Sequence, residues 1–345
     1  PASGRTRRRV PRAGADLRTM RNCGVRHRRA VATLAALALA GAGIVAAAAL
    51  LPRQSGSEPQ DSASTPASVP LPTAQGVSRS PSSATADPLG VPFPDASSTG
   101  VPEGVTLTPY SGPSTITEAG TVIDGKLITT PLVIAASAHD VTIKNSRIAA
   151  SGFWMVLNDS GATNLQIIDT ELDGLGDESV DAAVAGENYT LTRVNIHGTV
   201  DGVKLGDNVV VQDSYIHDLV TTAESHNDGM QSLGSDDVVI RHNTVIMPEG
   251  STSAILLSTG SADSMRRIVI HNNLLGGGAY TIYGGYEPGV DDLSRVSDVV
   301  ISDNRITTTI FPDGGAFGPL ASVSPPAVTL EGNVWHDGPN AGRPL

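Results

Sequence analysis

The segment Val238-Val-Ile-Arg-His-Asn-Thr-Val245 is one copy of an eight-residue pattern that recurs along the chain. The other copies begin at Val141, Leu165, Tyr189, Val209, Ile268, Val299 and Val328, so consecutive copies start 20 to 31 residues apart. Positions one, three and eight are apolar in all eight copies. A repeat of this length is typical of one coil of a solenoid, in which each coil stacks on its neighbours. The repeat therefore predicts a stack of coils.

Each copy of the repeat contains a corner. Positions one and three lie on one face of a strand, whereas position eight has the opposite parity, so the chain must turn near positions five and six. Position six is Asn in the last four copies, at Asn243, Asn273, Asn304 and Asn333. Asn tolerates left-handed backbone angles, and stacked amides about 4.8 Å apart can bond to one another. We therefore expect left-handed Asn corners that form a structural ladder.

A third strand precedes the repeat, most clearly in the segments 201–208 and 181–188. Three strands per coil predict an all-β fold, a right-handed parallel β-helix of about eight to nine three-strand coils. The composition agrees, because only 3% of the residues are aromatic and the single cysteine is Cys23. Rows of Val, Ile and Leu form the core of such a fold without aromatic clusters or disulfides.

On these repeats the chain resembles the pectate-lyase-like β-helix superfamily over residues 105–338. The leading segments 93–102 and 122–126 are similar to those of secreted bacterial β-helix proteins. The resemblance implies a carbohydrate-active protein, since the known members are mostly polysaccharide lyases and glycoside hydrolases, with adhesins and phage tailspikes among them. It does not choose the reaction. His226-Asn-Asp-Gly229 matches only a fragment of the polygalacturonase motifs, and the arginine signature of the pectate lyases is absent.

The segments outside the repeats predict the location of the protein. Residues 1–30 are basic, residues 31–51 carry no charge and read as a signal peptide or a membrane anchor, and residues 52–104 form a Pro/Ser/Ala/Thr linker. The β-helix domain follows at 105–338, with a tail at 339–345. We expect a monomer that is secreted or anchored to the outer face of the cell membrane.

Charge excludes one class of partner. The net charge is −12, but the arginine-rich residues 1–29 carry +9, which leaves −21 on the remainder. A nucleic-acid-binding protein needs a basic surface facing the phosphates. The sequence therefore predicts no nucleic-acid partner for the domain.

The strand before each repeat is the expected location of the functional site, since the resemblance implies a substrate cleft over that strand. Parity places Val203 inside and Lys204 outside, with Gln231 beside Lys204 in the next coil. Gly202 and Gly229 are expected on the same outer face. Lys204 is either a base that abstracts a proton, a cation that binds acidic sugar, or an ordinary solvated lysine.

Asp181, Asp201 and Asp228 are predicted to occupy one position in three consecutive coils, on the turn before the strand. Neighbouring carboxylates would then lie about 5 Å apart and the outer pair about 10 Å apart, which brackets the separations of retaining and inverting glycosidases. Such a row could form an acid/base pair or recruit Ca²⁺. Ordinary Asp-Gly turn chemistry is the alternative.

Histidines and tyrosines complete the candidate set. His226 is predicted to pair with Asp228 in proton transfer or orientation, with an exposed loop histidine as the alternative. His197 and His217 are expected to stack on each other near the same turns and to contact substrate or cap those turns. Tyr283 is expected outside as a sugar-stacking residue and Tyr280 inside, with aromatic packing of the wall as the alternative.

Two classes of function follow. The first is an enzyme that cleaves an extracellular polysaccharide, either a lyase or a hydrolase, with Lys204, Asp201, Asp228 and His226 as catalytic residues. Gln231, Tyr283, His197 and His217 would bind substrate, and Asp181, Asp201 and Asp228 are the candidate calcium ligands. The second class is a non-catalytic glycan-binding or adhesion module on a stalk.

Overall fold

The computed structural model describes residues 90–222, 224–260, 262 and 264–345. They form the all-β right-handed parallel β-helix predicted by the repeat, with three strands in each coil and three parallel sheets. The predicted basic segment, the apolar segment 31–51 and most of the linker lie outside the described residues. Within the described part of the chain, no helix has the length and apolar character needed to cross a membrane.

Each coil contributes one strand to each of three sheets. The first sheet has nine strands: β2 (Thr115–Ile116), β5 (Leu132–Ile134), β8 (Trp154–Asn158), β11 (Ala182–Gly186), β14 (Asp201–Lys204), β17 (Asp228–Ser232), β20 (Ser253–Leu257), β23 (Tyr280–Tyr286) and β26 (Gly318–Val323). The second sheet also has nine: β3 (Val122–Asp124), β6 (Thr142–Lys144), β9 (Leu165–Ile168), β12 (Tyr189–Thr192), β15 (Val209–Gln212), β18 (Asp236–Arg241), β21 (Met265–His271), β24 (Val296–Ser302) and β27 (Val328–Glu331). The third sheet has ten: β1 (Thr108–Pro109), β4 (Lys126–Ile128), β7 (Arg147–Ala149), β10 (Glu171–Asp173), β13 (Asn195–His197), β16 (Tyr215–Ile216), β19 (Thr244–Ile246), β22 (Leu274–Gly276), β25 (Arg305–Ile306) and β28 (Val334–Trp335). Two 3₁₀ turns, Leu293–Arg295 and Gly338–Asn340, complete the regular elements in the described residues.

The core consists of apolar rows that run along the stack. Position one of the repeat is in register from coil to coil, as in Val209↔Val238 and Val238↔Ile268, and these side chains are buried. Each buried Val, Leu or Ile side chain contributes about 1.5 to 3 kcal/mol. The fold therefore needs neither disulfides nor an aromatic core.

The Asn ladder is confirmed. The amide of Asn243 donates to Asn273 Oδ1 at 3.0 Å, Asn273 donates to Asn304 Oδ1 at 2.9 Å, and Asn304 donates to Asn333 Oδ1 at 2.9 Å. Each of these amides also donates to a backbone carbonyl, for example Asn273 to Ile240 at 3.0 Å. The ladder thus satisfies buried polar groups at the corner between the second and third sheets.

The predicted backbone angles of the ladder were wrong. The left-handed residue is position five of the repeat, where φ lies between +49° and +65° in every copy, from Asn145 to Gly332. Position six has no positive φ. The corner turns one residue earlier than expected because position six must point inward for its amide to bond along the stack.

Strict alternation fails in the first sheet. An ideal Cβ on Gly202 would lie 2.9 Å from Ile216 Cγ2, and one on Gly229 would lie 3.2 Å from Met247 Sδ, and both of these neighbours are core residues. Gly202 and Gly229 therefore face inward, which corrects their predicted outer position. Because the next residue, Val203 or Met230, also faces the core, outward side chains in this sheet are three residues apart.

The segment at residues 90–104, here called the strap, runs back across the coils. Its Gly100 N–H donates to the carbonyl of Arg193 at 2.9 Å. Phe93 is 6% exposed and stacks on His242 with 5.6 Å between ring centroids, and its ring meets His336 edge-on at 6.2 Å. The strap is therefore packed against coils far from the strand that follows it.

Candidate functional site

The first sheet carries a polar cluster on its outer face, formed by Asp181, Asp201, Lys204, Asp228 and Gln231 and here called the Asp/Lys cluster. Lys204 is in register with Gln231, as predicted. Asp201 and Asp228 begin strands β14 and β17, rather than lying on the turns before them. Lys204 contacts Asp201 three residues earlier, because the two residues between them face the core.

Hydrogen bonds join the members of the cluster across three coils. The Lys204 ammonium donates to Asp201 Oδ2 and, at 3.0 Å, to Gln231 Oε1. Gln231 Nε2 donates to Asp228 Oδ2 at 2.8 Å, and the backbone N–H of Asp228 donates to Asp201 Oδ1 at 2.7 Å. Ser253 Oγ donates to Asp228 Oδ1 at 2.6 Å. Every group in this chain of contacts is paired.

The cluster is buried despite its outward direction. The side chains of Asp201 and Lys204 are 2% and 12% exposed, and Asp228 has no exposed surface. Asp181 is the most accessible carboxylate, at 24%. A substrate that approaches this face therefore meets Asp181, Lys204 and Gln231 first, and Asp228 lies beneath them.

Burial raises the pKa of both Asp201 and Asp228, and the Lys204 ammonium opposes this shift mainly at Asp201. Burial and the neighbouring Asp201 raise the pKa of Asp228 to about 8, against the bonds from Ser253 and Gln231. Burial also raises the pKa of Asp201, while the Lys204 ammonium opposes this shift. Burial lowers the pKa of Lys204, but Asp201 and Asp181 outweigh it and the net direction is upward. At neutral pH Asp228 therefore holds a proton and Lys204 is a cation.

Asp181 does not occupy the predicted position. Asp201 is in register with Ala182, so Asp181 lies one residue before the column that contains Asp201 and Asp228. From Ala182 to Tyr189 is seven residues, whereas from Asp201 to Val209 is eight, although both pairs are in register. Counting back eight residues from the repeat therefore reaches Asp181 rather than Ala182. The carboxylate of Asp181 nevertheless reaches the cluster, 3.7 Å from Lys204 Nζ, and accepts a bond of 3.2 Å from Trp154 Nε1.

Aromatic rings lie on both sides of the Asp/Lys cluster. Trp154 is in register with Ala182, and the ring of Phe153 packs against it at 5.0 Å. On the other side, Tyr283 lies in the Lys204–Gln231 row, two strands beyond Gln231. Burial, with smaller effects of Asp228 and Tyr280, raises the pKa of Tyr283 to about 12.

The predicted inward position of Tyr280 was wrong. Tyr280 is partly exposed and lies edge-on to Tyr283, with 5.4 Å between ring centroids, and its ring is 6.0 Å from that of Phe317. The two residues after it, Thr281 and Ile282, face the core and are fully buried. Two consecutive inward-facing residues therefore separate Tyr280 from Tyr283, as they separate Asp201 from Lys204. Both members of each pair face outward.

The structure does not pair His226 with Asp228. The His226 side chain is exposed, and the side-chain oxygens of Asp228 accept from Gln231 and Ser253. Asn227, between them, is completely buried. A role for His226 at the site stays a prediction.

His197 and His217 lie next to each other in successive coils, as expected, with 5.4 Å between ring centroids and the ring planes tilted by 31°. They belong to the third-sheet side of the coil. His197 Nε2 lies 3.1 Å from Glu171 Oε1, and this hydrogen bond raises the pKa of His197. His217 Nε2 lies 3.0 Å from Asn195 Oδ1. Their contacts are with third-sheet residues and the adjoining turn, so a substrate-binding role for them stays a prediction.

Metal ligation has one further candidate among the described residues. Glu171, Asp173 and His197 bring ligand atoms within 4.8 Å of one another. The Arg147 guanidinium forms ion pairs with two of these carboxylates, at 2.6 Å from Asp173 and 3.4 Å from Glu171, and supplies positive charge in place of a metal ion. The Lys204 ammonium likewise supplies positive charge to Asp181 and Asp201. The predicted Ca²⁺ at Asp181, Asp201 and Asp228 stays a prediction, and it requires the Lys204 ammonium to withdraw.

Sequence reasoning missed Ser253 and Trp154. Ser253 is in register with Asp228, and Trp154 lies in the same outer column two strands before Asp201. Neither residue is part of an Asp-Gly motif. Counting back from the repeat does not find them, because Asp201 lies 8 residues and Ser253 lies 15 residues before position one of its own repeat.

No family model matches the chain, and no curated protein is similar to it at a significant level. Among solved structures, it is similar to a mutant of the periplasmic alginate epimerase AlgG, with 15% sequence identity and a TM-score of 0.38. The match covers 63% of this chain and 48% of that one, so the chain spans about half the length of the epimerase.

Proposed function

We propose that the protein is an enzyme that cleaves an extracellular polysaccharide along the outer face of the first sheet. The observation that carries this proposal is the buried pair Asp201 and Asp228 with Lys204 between the coils. Buried ionic groups contribute little net stability compared with apolar residues of similar volume. A solenoid could place an apolar side chain at the position of Lys204, as it does at Leu157 and Leu256 in the same row.

Hydrolysis fits the charge states better than elimination. A lyase needs a free base and positive charge to neutralise the substrate carboxylate as the carbanion forms. The upward shift in the pKa of Lys204 keeps this residue protonated, and its ammonium is already bonded to Asp201 and Gln231. A hydrolase needs one protonated and one ionised carboxyl group. We assign the proton to Asp228, whose pKa is raised to about 8, and the ionised state to Asp201, because its carboxylate is bonded to the Lys204 ammonium.

In the proposed reaction, water adds across the glycosidic bond. Because the two carboxyls belong to adjacent strands, about 5 Å apart, Asp201 attacks the anomeric carbon while Asp228 gives its proton to the leaving-group oxygen. Water then displaces Asp201 from the sugar and returns a proton to Asp228. Lys204 is a positioning residue that keeps Asp201 ionised. Because Asp228 has no exposed surface, the Gln231 side chain must rotate away from it when the polysaccharide binds.

The test is product analysis on a panel of neutral, acidic and amino polysaccharides. Hydrolysis releases reducing ends without the ultraviolet absorbance of a new double bond, whereas elimination produces both. We expect Asp228→Asn and Asp201→Asn each to lower kcat at least about a hundredfold, the lower range of a general acid or base. Glu331→Gln, an exposed carboxylate on the second sheet, is the matched control and should leave kcat unchanged.

A glycan-binding module is the second candidate. It is favoured by one observation, the complete mutual pairing of the cluster, which leaves Asp201 and Asp228 with almost no accessible surface. If this candidate is correct, a polysaccharide binds with no product from any member of the panel. Loss of turnover in folded Asp228→Asn protein would reject it.

A further inference from the structure

We propose that the polysaccharide carries free amino groups, so that it is a cationic polymer of amino sugars. This inference rests on the proposed function, because it names the substrate class of the same face. Acidic turns line one edge of the first sheet, and both cations on or beside that sheet, Lys204 and Arg295, are already hydrogen-bonded.

The turns that lead from the third sheet into the first sheet are acidic. Six of them, at residues 174–181, 198–200, 217–227, 247–252, 277–279 and 307–317, contain no Lys or Arg. Together they carry seven carboxylates: Asp177, Glu178, Asp181, Asp218, Glu224, Glu249 and Asp313. Glu178, Asp218, Glu224, Glu249 and Asp313 are exposed. One long edge of the face is therefore lined with negative charge.

Positive charge is concentrated elsewhere. Residues 90–345 contain 11 Lys and Arg, and only Lys204 and Arg295 belong to the first sheet or to the turns beside it. Both are engaged, since Lys204 contacts Asp181, Asp201 and Gln231, and Arg295 donates to the carbonyls of Thr259 and Ala262. The remaining nine lie in the other two sheets, at the corner between them or in the C-terminal tail. The scarcity of positive charge is therefore a local property of the first-sheet face, and not only a consequence of the negative net charge of the chain.

This arrangement selects among sugar polymers by charge. A uronate polymer would bring carboxylates against the acidic turns with neither cation free to receive them, and like charges at this distance repel. An amino-sugar polymer would place ammonium groups beside exposed carboxylates, which speeds encounter and strengthens binding at low salt. The aromatic rings at Trp154 and Tyr283 are separated by five inter-strand spacings, about 24 Å, and offer apolar surface to sugar rings. Such a span suits an oligosaccharide that lies along the stack.

The experiment measures the binding of three oligosaccharides of equal length by calorimetry, using the full chain. The probes are a glucosamine hexamer, the fully N-acetylated hexamer and a galacturonate hexamer. At low ionic strength the glucosamine hexamer is expected to bind at least about tenfold more tightly than the acetylated one. This preference should shrink at high salt because the Debye length falls.

Variants that neutralise single carboxylates test whether the acidic turns cause the preference for the glucosamine hexamer. Glu178→Gln and Glu224→Gln, on exposed turns outside the proposed catalytic groups, should each weaken binding of the glucosamine hexamer about twofold to fivefold and leave the acetylated hexamer unaffected. Glu331→Gln on the second sheet is the control and should change neither value.

The outcomes separate this inference from the proposed function. Equal binding of the two hexosamine hexamers, or a preference for galacturonate, overturns the amino-sugar inference, while cleavage of any polysaccharide still supports the enzyme. An amine preference that Glu331→Gln reduces as much as Glu178→Gln also overturns it, since the effect would then come from net charge. Amine-selective binding without cleavage retains the ligand class and rejects the enzyme. Failure of the glucosamine hexamer to bind also overturns the amino-sugar inference, while cleavage of a neutral polysaccharide would still support the enzyme.

Discussion

Asp201 Oδ1 accepts a hydrogen bond of 2.7 Å from the backbone N–H of Asp228 in the next coil. The other oxygen of Asp201 is bonded to Lys204, so one buried carboxylate joins the backbone of one strand to the side chain of another. A charge-assisted bond of this kind is stronger than one between neutral groups. The position of Asp228 is therefore tied to the charge state of Asp201, which couples the two carboxyls structurally as well as electrostatically.

The Lys204→Met variant is expected to unfold more easily. Removing the ammonium leaves Asp201 buried without its counter-charge, which costs about 3 to 5 kcal/mol. Chemical denaturation at neutral pH measures the loss. The double variant Lys204→Met/Asp201→Asn should recover most of the stability, because the uncompensated charge is gone. A double variant as unstable as the single one would contradict the pairing.

The stability of the protein is expected to depend on the protonation of Asp228. The pKa of this carboxyl is about 8 in the folded chain against an ordinary value of 3.8. Between these values the unfolded chain binds fewer protons than the folded one, so this group makes stability fall as pH rises. Below about 4 and above about 8 its contribution is flat.

Asp228→Asn tests this pH dependence, because asparagine is close in shape to the neutral carboxyl and does not titrate. Urea midpoints should fall more steeply between pH 4 and pH 8 in the parent than in the variant. Parallel curves for the two proteins over this range would show that Asp228 has an ordinary pKa.

Asn273→Ala is expected to destabilise the later coils. The Asn273 amide accepts from the Asn243 backbone and side chain and donates to Asn304 and to the Ile240 carbonyl. Each buried group left without a partner costs about 1 to 3 kcal/mol. Thermal unfolding measures the change, and Asn340→Ala, an exposed asparagine near the C terminus, should alter stability by no more than about 0.5 kcal/mol.

Phe93→Ala is expected to release the strap while the β-helix stays folded. Phe93 provides the buried contacts with His242 and His336, whereas the strap adds no strand to the three sheets. Hydrogen exchange should therefore rise at the Gly100 amide, which bonds to Arg193, without a shift in the urea midpoint. The control is Phe317→Ala, since Phe317 is 63% exposed and lies on a different turn. Loss of global stability in Phe93→Ala alone would show that the strap is part of the cooperative core.

Part of the candidate site could be predicted from the sequence, where two successive coils contain the same motif. Lys204 and Gln231 each follow an Asp-Gly pair by the same number of residues, and they lie side by side in the structure. The position of Asp181 was misplaced by one residue and Ser253 was missed, because the segments between these strands and the repeats that follow them differ in length. Tyr280 was assigned to the core because alternation was assumed where two consecutive residues face inward.

The sequence by itself determined the fold, since apolar side chains at positions one, three and eight of a repeat of 20 to 31 residues are buried together only when the coils stack. It also determined the Asn ladder, because identical residues at one position of successive coils must lie above one another. Only the tertiary structure decided which side chains around the cluster meet and which carboxyl holds a proton. Those properties depend on turn length, on local departures from alternation and on burial by residues from other coils, and none of these is contained in the spacing of a motif.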